Sequence, residues 1–248
     1  MLVRSIETIA RAAGQVVLRY YKKPEEQAIK SKTDQSPVTA ADLAADRYIT
    51  TALAEVDSQI QVVSEETFHQ QVFDSAITRF WLVDPLDGTR DFIKETDDFT
   101  INIALIESGR PTLGVIYAPV TDECYSADQN GLYRNGLRIE RIRDGNQIVA
   151  GVSRSHRDDE VSKFLKRHRI QKKCEIGSSL KFIRMIDGTI NIYPRFGPTS
   201  QWDIAAGEAL LRAAGGGLLT FTGVRIEYGR LPIINPPFLA FFPETKLL

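Results

Sequence analysis

The sequence predicts a mixed protein of 248 residues, α+β over residues 1–147 and α/β over residues 148–248, the two halves tightly joined. Three observations carry this reading. Two helical periods open the chain and give way to alternating segments separated by turn signals. From about residue 148 onward, helical and β-prone segments take turns. Within the first half, residues 80–99 join a β-prone run to a corner rich in carboxylates. A composition of 43% hydrophobic and 25% charged residues belongs to an ordinary globular chain. The formal net charge of −1 offers no general attraction to polyanions, which argues against a long nucleic-acid partner and leaves room for a small anion. No apolar run is long enough to cross a bilayer, and the N-terminus already reads as an amphipathic helix carrying Glu7. Cys124 and Cys174 stand in no metal-like spacing and suit a reducing cytoplasm. Nothing in the chain sets an oligomeric state.

In chain order, apolar residues recur at Val3, Ile6, Ala10, Ala13, Val17 and Tyr20, a helical period that Pro24 ends. Residues 24–38 are polar and flanked by proline, which predicts a loop, either a plain connector or a flap over a site. Thr39 opens a second helix, with Leu43, Asp46, Ile49, Leu53 and Val56 marking its inner and flanking faces. Asp42 follows Thr39 at the spacing of a capping box, so a purely structural role accounts for it. Residues 60–63 predict a short strand running into Ser64-Glu65-Glu66. Residues 100–107, 112–118 and 123–127 read as strands, and Asn135-Gly136 signals a hairpin. In the second half we expect strands over 149–153 and 190–193, with helices over 158–168, 177–187 and 203–214. Ala205, Ala206 and Gly207 would let the last helix pack closely on a sheet. Gly215-Gly216-Gly217 ends it and lacks a dinucleotide-binding spacing.

The corner within 80–99 holds the chemistry. Residues 80–83 are apolar and β-prone, and the run ends in Asp84. Pro85 cannot donate to a ladder, so the strand is expected to stop there. Leu86, Asp87 and Gly88 read as a tight turn, and residues 89–94 as a short helical start. Such a corner gathers two carboxylates, the Leu86 carbonyl and the amides of Gly88 and Thr89. Oxygen ligands beside exposed amides suit a hard metal that holds a phosphate. Alone, the same residues make an ordinary surface turn. Glu65 and Asp203 also stand at element ends, and Asp203 is equally at home as a helix-start carboxylate. Together, Glu65, Asp84, Asp87 and Asp203 would supply the oxygen-rich cluster that two or three magnesium ions need for phosphoryl transfer.

Ser64-Glu65-Glu66, Asp84-Pro85-Leu86-Asp87-Gly88-Thr89 and Trp202-Asp203-Ile204-Ala205-Ala206-Gly207 resemble the motifs of the inositol monophosphatase superfamily, magnesium-dependent and lithium-sensitive phosphatases. The resemblance implies a layered α-β-α-β-α sandwich of the sugar-phosphatase type. It further implies that Glu65, Asp84, the Leu86 carbonyl, Asp87 and Asp203 ligate metal. Gly88 and Thr89 would contact phosphate through their amides, and Asp42 with Thr89 would orient the attacking water. Within the superfamily the chain is similar to bacterial 3′(2′),5′-bisphosphate nucleotidases. Residues 36–42, 81–89, 153–156, 177–182 and 193–198 carry that likeness. Family members often have Lys-Glu after the threonine, where this chain has Arg90-Asp91 and keeps the charges. By the same matching His156, Ser178, Lys181, Arg195 and Asp203 are expected to bind the nucleotide. Ser178 reads otherwise as a helix-start residue, and Lys181 and Arg195 as solvated charges. The implied substrate is adenosine 3′,5′-bisphosphate, with its sulfated relative, in sulfur metabolism and nucleotide recycling. The implied place is the cytoplasm or the cytoplasmic side of the inner membrane. An inositol or sugar monophosphatase is the alternative within the class, and a non-catalytic nucleotide sensor the alternative outside it.

Overall fold

The structure is a computed structural model that describes residues 2–23, 25, 29–31, 37–69, 74, 76–142, 147–154 and 158–245. Helix α1 (Leu2–Leu18) buries Val3, Ile6, Ala10, Ala13 and Val17, the stripe its period predicts. Strands β1 (Lys30–Ser31) and β2 (Pro37–Val38) pair antiparallel inside the expected loop. Helix α2 (Ala40–Val56) starts from an N-cap at Thr39. A seven-stranded sheet follows, in the order β3-β4-β5-β6-β7-β8-β9 among the described residues. Its strands are β3 (Gln61–Ser64), β4 (Arg79–Asp87), β5 (Thr100–Glu107), β6 (Arg110–Ala118), β7 (Glu123–Asp128), β8 (Gly131–Arg134) and β9 (Leu137–Ile139). The β3–β4 pair is parallel and the other pairs run antiparallel. A short helix, α3 (Thr89–Ile93), leaves the end of β4.

Among the described residues the second half builds a five-stranded sheet in the order β11-β10-β12-β14-β13. It comprises β10 (Val149–Ser153), β11 (Lys172–Ile176), β12 (Ile192–Arg195), β13 (Gly217–Thr220) and β14 (Phe238–Phe241). Helices α4 (Asp159–Arg167), α5 (Leu180–Ile186) and α6 (Gln201–Ala213) accompany it.

Strand periodicity produces the layering. In β4, Trp81 and Val83 join the core under α1 and α2, while Phe80 and Leu82 face the opposite core with α5 and α6. In β5, Ile101, Ile103 and Leu105 take the first face and Ala104 and Ile106 the second. The second core also receives Tyr193, Phe238 and Ala240 from the five-stranded sheet. On that sheet's far side Val161 and Leu165 of α4 pack with Ala150, Val152 and Ile192. The layers therefore run α1/α2, large sheet, α5/α6, small sheet, α4, as the α-β-α-β-α expectation has it. Small residues set the spacing of the middle layer. A Cβ on Gly114 of β6 would lie 2.6 Å from the Ala206 carbonyl oxygen, and one on Gly207 would lie 2.2 Å from the Phe182 ring.

Several local expectations are corrected. Strand β4 does not stop at Pro85. The ladder pairs Asp84 with Asn102 and resumes with Asp87 opposite Thr100, so Pro85 and Leu86 share one opposing residue in a bulge. Proline is tolerated there because a bulge asks for no ladder donor. Asp87 is accordingly a strand residue rather than part of a tight turn. Helix α5 begins at Leu180, not Gly177, because Ser178 has a left-handed φ of 42° that a helix cannot contain. Strands β11, β13 and β14 have no counterpart in the sequence reading. Lys172–Ile176 is charged and exposed at a sheet edge, and β13 and β14 follow glycine and proline runs that mask a strand period.

Candidate active site

The parallel pair β3–β4 carries two carboxylates to one edge. Ser64 lies opposite Val83, and the Glu65 N–H donates to the Val83 carbonyl at 3.1 Å, so Glu65 and Asp84 leave the sheet side by side. Asp203 arrives from the first turn of α6, where its Oδ2 accepts the Ser200 N–H at 2.8 Å. One carboxylate oxygen from each of Glu65, Asp84 and Asp203 lies within 4.8 Å of the others. Burial pushes the Asp84 carboxyl well above the usual range, and Glu65, Asp87 and Asp203 push it further. Burial does the same to Asp203, with Asp87 and Glu65 adding to it. Converging hard oxygens that repel one another when ionised fit a divalent cation, whose charge would relieve the repulsion.

Asp87 lines the same cavity but stands outside this trio, and other groups hold it. Its Oδ2 accepts the Ser179 N–H at 2.6 Å and Asn102 Nδ2 at 3.2 Å. Burial raises its carboxyl to about 6, against the pull of Lys181.

Asp42 turns out to do two things at once. Its Oδ2 accepts the Thr39 N–H at 2.8 Å and the Thr39 hydroxyl at 2.6 Å, completing the capping box. Its Oδ1 accepts the Thr89 hydroxyl at 2.9 Å. The Thr89 hydroxyl also lies 3.2 Å from the Leu86 carbonyl, the group expected to face a metal. Burial raises the Asp42 carboxyl, with the Thr39 and Thr89 hydrogen bonds opposing. Gly88, the N-cap of α3, has φ +95°, and a Cβ there would lie 2.8 Å from the Asp98 carbonyl oxygen. Both facts demand glycine at this corner.

Across a cavity of about 310 Å³ the second half supplies cations. Lys181 and Arg195 are buried rather than solvated. Lys181 Nζ donates to the carbonyls of Ile176 at 3.0 Å and Ser178 at 2.6 Å, clamping the turn before α5. Burial lowers its ammonium to about 8, with Asp87 opposing the shift. Arg195 donates to the carbonyls of Gly197 and Pro198 at 3.1 and 3.0 Å. Ser178 lines the cavity as a strained turn residue, not as a helix start. His156 lies outside the described residues. The sequence reading missed Asn102, Thr100 and Ser179. Asn102 did leave a signal, a lone amide among the apolar residues 101–106 of a strand buried on both faces.

A family model, the inositol monophosphatase family, matches residues 2–239. The 3′(2′),5′-bisphosphate nucleotidase CysQ of Salmonella typhimurium is 41% identical over 241 residues, 96% of this chain and 98% of that protein. The Escherichia coli K12 protein of the same name is 41% identical over 234 residues, 93% of this chain and 95% of its own. Among solved structures, CysQ from Bacteroides thetaiotaomicron superposes with a TM-score of 0.86 at 30% identity, covering 97% of this chain and 96% of that one. The Bartonella henselae suhB protein shares the fold, with a TM-score of 0.83 at 22% identity over 98% and 94% of the two chains. With its three carboxylate-bearing element ends gathered at one cavity and residues 2–239 matched, the chain belongs to the inositol monophosphatase family.

Proposed function

We propose that this protein is a magnesium-dependent phosphatase that hydrolyses adenosine 3′,5′-bisphosphate to AMP and phosphate, and that also accepts the sulfated relative of that nucleotide. The observation that carries the reading is one cavity lined by the Glu65, Asp84 and Asp203 trio, by Thr89 with Asp42 hydrogen-bonded behind it, and by two buried cations. The names of the bacterial relatives support the substrate class. Glu65, Asp84, the Leu86 carbonyl, Asp87 and Asp203 would hold two or three magnesium ions, which supply positive charge to the phosphoryl oxygens and acidify the attacking water.

The chain's own residues do the rest. Thr89 gives its hydroxyl proton to Asp42 Oδ1, so its oxygen is free to accept from water and aim it at phosphorus. As the new P–O bond forms, the water proton passes to Thr89 and the Thr89 proton to Asp42; the ribose oxygen leaves and is protonated by solvent. Gly88 and Thr89 face the phosphate being cleaved with their amides. Ser178, Lys181 and Arg195, with His156, receive the second phosphate and the ribose. Lys181 has committed two of its three N–H groups to carbonyls and keeps one for this task. We place the protein in the cytoplasm, with a role in sulfur metabolism; its two free cysteines support a reducing compartment.

Phosphate release from adenosine 3′,5′-bisphosphate, inositol monophosphate and fructose 1,6-bisphosphate, with magnesium and after chelation, tests the proposal. The first substrate should give the highest kcat/KM, and chelation should abolish turnover. A preference for inositol monophosphate or fructose 1,6-bisphosphate would assign a monophosphatase or sugar phosphatase instead. Nucleotide binding without phosphate release would assign a sensor.

A further inference from the structure

Asp87 is the one carboxylate of the expected metal set that stands apart from the trio, and the groups that hold it come from both halves of the chain. Thr100 and Asn102 belong to β5, on the strand that pairs with β4 across the bulge. Ser179 precedes α5 in the second half. Ser179 Oγ donates to Asn102 Oδ1 at 2.7 Å and lies 2.7 Å from Thr100 Oγ1. All three side chains are buried, at 2% exposure or less.

The direction of this chain follows from proton counting. A carbonyl oxygen only accepts, so the single Ser179 hydroxyl proton goes to Asn102 Oδ1. Ser179 Oγ must then accept, and Thr100 Oγ1 donates to it. With its Oδ1 so engaged, the Asn102 amide presents Nδ2 to Asp87 Oδ2; the flipped amide would set a carbonyl oxygen against a carboxylate. The Ser179 backbone N–H reaches the same oxygen at 2.6 Å. Asp87 Oδ2 therefore accepts from two donors, while no described residue is recorded as donating to Oδ1, and Asp87 lines the cavity.

We propose that Thr100, Ser179 and Asn102 are positioning residues for Asp87: a one-way hydrogen-bond chain that saturates Oδ2, fixes the rotamer and leaves Oδ1 to a second divalent cation. The chain also ties that cation's ligand to the turn that carries Ser178 and that Lys181 clamps from α5, so the two halves share the site. The inference rests on the proposed metal-dependent phosphatase reading and adds residues that reading does not contain. Outer groups that orient a metal ligand are worth about 10–100-fold in metal affinity.

The test uses Mn²⁺ as the probe, titrated into the metal-free full-length protein without substrate and followed by the electron paramagnetic resonance signal of the free ion. Ser179→Ala removes the hydroxyl and keeps the backbone donor. Thr100→Val removes the first donor at constant shape, and Thr100→Ser keeps it. Ser179→Ala and Thr100→Val should weaken one class of Mn²⁺ site by about tenfold or more, leaving the tighter class unchanged. Thr100→Ser should stay within about threefold of the parent, because its hydroxyl still donates. The same split should appear in turnover, as a raised magnesium requirement with an unchanged KM for nucleotide. Folded Ser179→Ala and Thr100→Val proteins with Mn²⁺ binding identical to the parent would overturn the proposal. So would equal weakening by Thr100→Val and Thr100→Ser, which would reveal packing alone. Tight Mn²⁺ binding in a parent protein that hydrolyses no phosphate ester would sink the phosphatase reading and leave this one standing.

Discussion

Asp42→Asn separates the two duties that one side chain performs. Asp42 is the N3 residue of the capping box, and an asparagine there can still accept the Thr39 N–H with its amide oxygen. The amide nitrogen then occupies the place of Oδ1 and offers protons where Thr89 needs an acceptor at 2.9 Å. Thr89 must turn its proton to the Leu86 carbonyl, already 3.2 Å away, and loses the partner that makes its oxygen basic. Hydrogen bonds to charged groups are worth about 1.5–3 kcal/mol, and a lost acid–base partner costs roughly 10²–10⁴ in rate. Stability should move little, because the cap survives and a buried carboxyl raised by desolvation is replaced by a neutral group. At roughly 2–4 °C per kcal/mol for a chain of this size, a Tm change under about 3 °C is expected. The assay is phosphate release at saturating magnesium and nucleotide, with a melting curve for the same preparation. We expect kcat to fall by about 10²–10⁴. A kcat within twofold of the parent in a folded variant would reduce Asp42 to a cap and remove it from the mechanism.

Three further outcomes are expected. Arg195→Ala should lower kcat/KM for adenosine 3′,5′-bisphosphate by about one to two decades, the worth of a charge-assisted phosphate contact, and spare a monophosphate assayed on the same preparation; equal losses on both would mean Arg195 does not read the second phosphate. In metal-free protein, Asp87, raised to about 6, and Asp42, Asp84 and Asp203, also raised, favour the fold while protonated. That contribution is full below the unfolded pKa and lost as pH rises through the folded one. Tm without metal should therefore rise as pH falls from 7 to 5, and magnesium should stabilise most near pH 7; a Tm that drops over that window contradicts the assignment. Gly88→Ala must place a Cβ 2.8 Å from the Asp98 carbonyl oxygen at φ +95°, which costs at least about 1–2 kcal/mol. Melting should fall by several degrees, with turnover reduced alongside it; an unchanged Tm would show that the corner is not fixed by Gly88.

By itself the sequence determined the family, through its motifs, and with that resemblance the layering it implies. The apolar runs of 80–83 and 100–107 and the helical stripe of 2–18 are local patterns, and local patterns survive in one dimension. The carboxylates that end elements were visible for the same reason, since an acid after an apolar run is read without knowing its neighbours. Tertiary structure alone decided what those acids share. Asp42 looked like a cap or a catalytic group, and folding keeps it in the cap while bringing Thr89, 47 residues away, to its second oxygen, the contact on which the proposed mechanism rests. Lys181 and Arg195 read as solvated charges or phosphate ligands until packing buried them against carbonyls. The bulge that carries β4 past Pro85 depends on Asn102 and Thr100 of the next strand. Ser179 reaches Asp87 across 92 residues, and no spacing rule spans such a distance, because that contact is made by the docking of two sheets around a shared layer of helices.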